Sequence, residues 1–211
     1  TKYICGEMNE AGLQDAFDPL ATGVLILCTG KATKQIESLQ YATKEYTATL
    51  QLGATTASYD REHTINMTYP TRHITRELIE QTLPRFVGTI DQVPPEYSAC
   101  NISGDRAYKL ARKGEKVELK AKTLQIDELE LTDFDAGTMQ MSIRVVCGKG
   151  TYIRALARDI GEALGSGAFL TALCRTRLGN VRIEDCLTFD EFPAWLDAQD
   201  IVTEDRVRLT K

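Results

Sequence analysis

The chain has 211 residues, of which 43% are hydrophobic and 26% charged, with a net charge of −5. That balance is typical of a soluble globular protein of one large domain or two small ones. No apolar run approaches the roughly 18 residues that span a bilayer, and the opening TKYICGEMNE is too polar for a signal peptide, so a cytoplasmic protein is expected.

From the N-terminus, Val24–Cys28 has the apolar character of a buried strand, closed by Thr29-Gly30. Ala32 to Tyr41 suits a short helix with Ile36 and Leu39 on one face. Tyr46, Ala48, Leu50 and Leu52 alternate with Thr47, Thr49 and Gln51, the period of a half-buried strand ending at Gly53. Ile74, Leu78, Ile79, Leu83 and Phe86 recur at helical spacing, with Pro84 kinking or ending that helix. Arg106 to Lys113 reads as a short helix stopped by Gly114. Met139, Met141, Ile143 and Val145 mark another strand, and Gly148-Lys-Gly150 turns out of it. The next helix buries Ile153, Leu156, Ala157, Ile160 and Leu164. Strands in ladders and helices in groups favour an α+β fold over a doubly wound one.

The six cysteines, at 5, 28, 100, 147, 174 and 186, show no C-x-x-C spacing, and the two histidines, His63 and His73, do not pair with them. No zinc site is expected, and a Ser-His or Cys-His mechanism is disfavoured. Carboxylate, tyrosine or arginine chemistry comes first. Charge is unevenly spread: residues 183–211 carry eight acids against three bases, whereas 19–182 hold 21 bases against 18 acids. An RNA-binding face is therefore permitted, though not demanded.

Four stretches could carry chemistry. Asp18-Pro-Leu-Ala-Thr-Gly23 holds a carboxylate on a proline-stiffened turn before a buried strand, or is simply a turn whose Asp and Thr satisfy backbone. Lys149-Gly-Thr-Tyr-Ile-Arg154 starts a helix with Thr151 as a possible N-cap; Arg154 and Arg158 fall opposite the apolar stripe, as a solvated face would. Gln92-Val-Pro-Pro-Glu-Tyr-Ser-Ala99 is a stiff segment, with Tyr97 and Tyr108 as core or stacking residues. Arg175, Arg177 and Arg182 lie in an acid-free run that suits phosphate contacts or a helix C-terminus.

In this order, DPLATGVL, KEY with LGATT, QVPPEYSA with DRAYKLARKG, KGTYIRALARDIGEALG and LCRTRLG resemble the bacterial tRNA pseudouridine synthases of the TruB type. The likeness runs from about Phe17 to about Arg182. It implies a pseudouridine synthase catalytic fold, a mixed and mostly antiparallel sheet flanked by helices around an RNA-binding cleft. It also implies isomerisation of the T-loop uridine of tRNA, with Asp18 as the catalytic carboxylate and Arg154 as its ion-pair partner. Tyr46 would stack on the uracil, Tyr152 would line the site, and Leu173 would pack on the flipped base. Thr22, Arg106 and Asp60 would support the site or touch RNA. No metal or organic cofactor is required. A monomer acting on the T-stem-loop is expected, with residues 1–182 as the catalytic domain and 183–211 as an acidic extension too short for an additional RNA-binding domain.

The likeness has gaps. Leu13 stands where the family has a histidine, Asp15 where it has a glycine, and Asn101 where it has a lysine. Only 17 residues precede Asp18, where several tens are usual. Either the N-terminal part has diverged, or the sequence joins segments around a missing piece. An RNA-binding or RNA-folding protein of weakened catalysis is the alternative reading; a small-molecule enzyme reusing the cleft has no motif of its own.

Overall fold

The computed structural model describes residues 2–7, 21–28, 30–98, 101–102, 105–107 and 119–198, with 2–7, 101–102 and 105–106 described by backbone alone. In chain order the elements are β1 (Lys2–Glu7), β2 (Ala21–Leu27), α1 (Ile36–Tyr41), β3 (Lys44–Leu52), β4 (Ala54–Thr56) and β5 (Ile65–Thr68). Then come α2 (Arg76–Thr82), β6 (Gly88–Gln92), β7 (Asn101–Ile102), β8 (Asp105–Arg106), β9 (Lys122–Asp135) and β10 (Gln140–Cys147). The last are α3 (Ile153–Ala163), β11 (Ala168–Leu178), β12 (Val181–Arg182), β13 (Leu187–Thr188) and α4 (Glu191–Asp197).

Nine strands form one mixed sheet in the order β13-β1-β2-β11-β3-β10-β9-β6, with β12 attached to β11. Among the described residues, only the β1–β13 and β2–β11 pairs are parallel. The α+β expectation therefore holds. Among the described residues, no helix is long and apolar enough to cross a membrane.

The period-2 pattern of β3 and β10 sends Ala48, Leu50, Leu52, Met141, Ile143 and Val145 to one face, where α2 and α3 cover them. Leu50, Met141 and Ile143 are fully buried. Each such side chain contributes roughly 1.5–3 kcal/mol by leaving water. The helix α3 comes especially close. A Cβ on Gly161 would lie 2.4 Å from the backbone nitrogen of Ala168, so only a glycine lets this helix rest on β11. Burial pushes the Cys147 thiol up to about 11, which keeps it a neutral, small hydrophobe.

The opposite face of the sheet is polar. Arg144 bridges Glu45, Glu128 and Glu130, and Arg177 also approaches Glu45. Burial opposes ionisation of Glu45, but the Thr176 hydroxyl and the Arg144 and Arg177 charges outweigh it and hold the carboxyl below its ordinary value. A depressed folded-state value means this stabilisation is present above about pH 4.5 and is lost as pH falls through the folded value. Glu45→Gln is expected to cost about 0.5–1 kcal/mol at pH 7 and to flatten the acid limb of a stability–pH curve from urea melts. An unchanged acid limb would show that Glu45 carries no such linkage.

Two local expectations need correction, and two hold with altered bounds. Residues 30–35 form a 3-10 helix before α1, and neither segment buries a residue; Ile36 is exposed because α1 lies off the core. Arg106 itself belongs to β8, paired with Asn101 of β7, and the expected helix opens one residue later, at Ala107; residues 108–118 lie outside the described residues. The arginine run from 172 to 182 is strand, not a helix C-terminus, and Arg175 is buried. Its guanidinium turns inward because the Val24 carbonyl accepts from both Nε (2.8 Å) and Nη2 (2.6 Å). The helix from 74 to 86 is split, as its proline implies, into α2 and a 3-10 turn at Leu83–Phe86.

Candidate active site

The strand β2 begins at Ala21, three positions after Asp18. Its first residue is level with Leu173 of β11, which in turn is level with Ala48 of β3. Thr22 donates its hydroxyl proton to the Leu173 carbonyl at 3.4 Å. Tyr46, two residues before Ala48, is half-buried and packs against the same core as Leu173. Ala21, Thr22 and Gly23 of the DPLATG motif thus lie in β2 beside the residues expected to pack on a base. Asp18 itself, with Leu13 and Asp15, lies outside the described residues, and of Arg106 only the backbone is described.

A cleft of about 330 Å³ opens here, lined by Thr22, Thr47, Arg61, Thr171, Leu173 and Cys174 among others. Arg61 reaches it from the turn after β4, which is held to β11 by a hydrogen bond from Leu170 N–H to the Tyr59 carbonyl (2.9 Å). That turn is tightly specified. Tyr59 sits at φ 59°, a strained value for a bulky residue. Thr56 Oγ1 both donates to the Asp60 carbonyl (2.7 Å) and accepts from Asp60 N–H (3.1 Å). Asp60 Oδ1 accepts from the Ser58 hydroxyl and from Glu62 N–H.

Arg154 closes this arrangement from α3. It is 6% exposed, so the solvated-face expectation fails. Its Nη1 lies 3.3 Å from Asp60 Oδ2 and donates to the Ser58 carbonyl (3.2 Å), while Nη2 donates to the Tyr97 carbonyl (2.8 Å). The physical reason is pairing: a guanidinium is planar, weakly hydrated and able to satisfy a carboxylate and two carbonyls at once. Among the described residues, Asp60 is therefore the carboxylate partner of Arg154; pairing with Asp18 falls outside them.

Tyr152 is half-buried and serves as the N-cap of α3, without a side-chain capping bond. Thr151, the expected cap, instead donates to the Gly148 carbonyl (3.4 Å). Asp60, Glu62 and His63 bring ligand-type atoms within 4.8 Å of one another. Asp60 is already engaged by Arg154, and His63 Nδ1 by the Ser58 hydroxyl (2.9 Å). The set reads as a hydrogen-bonded turn rather than as a metal cage.

Sequence reasoning understates Asp60 and misses Ser58 and Gln92. The signal for Asp60 was its place in the polar Ser58-Tyr-Asp-Arg-Glu62 cluster directly after β4. Ser58 acts through its hydroxyl on Asp60 and His63 and through its carbonyl on Arg154, and the carbonyl's part leaves no trace in side-chain pattern.

The sequence and the fold both match known proteins. Residues 3–153 match the model of the TruB family pseudouridylate synthase N-terminal domain, and residues 154–209 match the tRNA pseudouridylate synthase B C-terminal domain. The chain belongs to the TruB family. The tRNA pseudouridine synthase B of Phocaeicola vulgatus is 63% identical over 203 residues, covering 94% of this chain and 86% of the relative. That of Bacteroides thetaiotaomicron is 64% identical over 209 residues, covering 96% and 87%.

Solved structures share the fold. A Cbf5-Nop10-Gar1 complex matches with TM-score 0.61 and 25% identity, covering 93% of this chain and 48% of that one. An H/ACA RNP bound to a substrate RNA containing 2'-deoxyuridine matches with TM-score 0.59 and 25% identity, covering 86% and 44%. The chain spans about half the length of these structures. The two TruB models meet at the first turn of α3, yet both segments build one sheet, since β11 from the second pairs with β2 and β3 from the first.

Proposed function

We propose that this chain isomerises uridine to pseudouridine in the T-loop of tRNA. The observation that carries the reading is the TruB match running from residue 3 to residue 209. The reaction breaks the bond from ribose C1′ to uracil N1, turns the base, joins C1′ to C5, and moves the C5 proton away while N1 gains one. Nothing is oxidised and no water is consumed, so the chemistry calls for no metal or organic cofactor.

Asp18 is the carboxylate assigned to this task, as nucleophile or as base and electrostatic partner of a cationic sugar. In the sequence Asp18 stands three residues before Ala21, where β2 begins level with Leu173. Leu173 and Tyr46 flank a flipped base that has lost its stacking neighbours, Tyr152 lines the site, and Thr22 holds the β2–β11 junction. Arg154 supplies a fixed positive charge that favours an ionised carboxylate nearby. Arg106 serves RNA contact. The substrate is the T-stem-loop, the working form a monomer and the compartment the cytoplasm; residues 1–182 form the catalytic unit and 183–211 the acidic extension.

Leu13 and Asn101 are the support for a scaffold of weakened catalysis. Relatives above 60% identity that bear the synthase name do not favour it. The deciding measurement is tritium release from a T-stem-loop RNA carrying 5-tritiated uridine. The wild-type chain should release tritium, and Asp18→Asn should release none while keeping its circular dichroism spectrum. Normal release by Asp18→Asn would sink the assignment.

A further inference from the structure

The segment from Gln92 to Tyr97 is fastened to the start of α3 at three points. Gln92 Oε1 accepts the Tyr152 N–H at 2.9 Å. The Tyr97 carbonyl accepts from Arg154 Nη2 at 2.8 Å, and the Val93 carbonyl accepts from Arg158 Nη2 at 2.9 Å. Between these points lie Pro94 and Pro95, which fix their own φ and offer no N–H of their own, so the segment is stiff and binds through its acceptors.

Of the three fastenings, the Gln92 bond is the unexpected one. The residue is 1% exposed, and its Nε2 has no hydrogen-bond partner among the described residues. Burying an amide donor this way is unfavourable, and a Leu or Met of similar size would avoid it. In exchange the fold gains one thing, a fixed acceptor for the Tyr152 N–H. Tyr152 has no side-chain cap, so this acceptor sets where α3 begins. Tyr152 and Arg154 straddle that first turn, and Arg154 is the side chain that meets the Asp60 turn.

We propose that Gln92 is a positioning residue for pseudouridine formation: it holds the Tyr152–Arg154 turn in register with the Asp60 turn, acting through the Tyr152 N–H and touching no reacting atom. This rests on Tyr152 and Arg154 being site residues, as set out above. Gln92→Leu removes the acceptor, Gln92→Asn withdraws it by one methylene, and Gln92→Glu keeps it in reach.

The test is steady-state and single-turnover tritium release from the T-stem-loop RNA by the full chain. Gln92→Leu and Gln92→Asn are each expected to lower kcat about tenfold or more, with KM for RNA within about twofold of wild type. Gln92→Glu should stay within about threefold of the wild-type kcat. If Gln92→Leu does not fold, the Asn and Glu variants decide the matter between them. Equal losses in the Asn and Glu variants would overturn the proposal, as would a lowered Tm with kcat unchanged in all of them. Activity in the wild type and none in Asp18→Asn would show that such an outcome strikes Gln92 alone. A wild-type chain without activity would overturn both readings together.

Discussion

An Arg154→Met chain is expected to lose about 3–5 kcal/mol of stability and all measurable pseudouridine formation. The side chain is enclosed, and its removal strands the Asp60 carboxylate, which is 4% exposed. The Ser58 and Tyr97 carbonyls lose their donor at the same moment. Arg154→Lys retains the charge but not the fork. One ammonium cannot serve a carboxylate and carbonyls from segments 96 and 57 residues away in sequence. It should fold better than the Met variant yet show a kcat lowered by about 10²–10³. Urea melts and tritium release measure the two effects separately. Adding Asp60→Asn to Arg154→Met should return part of the stability by removing the uncompensated charge, and none of the activity. A Met variant within about 1 kcal/mol of wild type would show that the buried pair is not what holds the turn.

The second large effect is expected at Gly23, the last residue of the DPLATG motif. It adopts φ +103°, and a Cβ built there would lie 2.2 Å from the carbonyl oxygen of Arg175 and 2.8 Å from its carbonyl carbon. Both atoms are backbone of the neighbouring strand, held by the register Arg175↔Gly23. Neither can swing aside as a flexible side chain would. Gly23→Ala must therefore strain its own φ and push β2 off β11, for a loss of about 3 kcal/mol or more. The displaced end of β2 is the one that follows Asp18, so activity should fall further than stability alone explains. A Gly23→Ala chain with wild-type melting and turnover would show that the two strands do not approach as closely as described.

Much of this architecture is legible from residue pattern. The alternation of Tyr46 to Leu52 and of Met139 to Val145, and the apolar stripe from Ile153 to Leu164, correspond to β3, β10 and α3. Pattern does not reveal neighbours. That β11 separates β2 from β3 depends on pairings more than a hundred residues apart, which no local period encodes. The same limit explains the arginines. Arg154 reads as a solvated face and Arg175 as a phosphate contact or helix C-terminus, because what draws them inward is carbonyl and carboxylate oxygen from distant segments. Asp60 is hard to rank for a related reason: its importance lies in who meets it, not in what surrounds it along the chain.

The position of β11 has a consequence for how this protein comes into being. β2 and β3 are each complete by residue 52, but the strand that must lie between them ends at residue 178. At a synthesis rate of about 5–20 residues per second, their facing edges wait roughly 6–25 s for a partner. β1 waits longer still for β13, its parallel neighbour at residues 187–188. The sheet therefore closes only once residues 168–178 have been made. During that interval the strands that frame the candidate cleft are open edges, the condition under which nascent chains bind chaperones or each other.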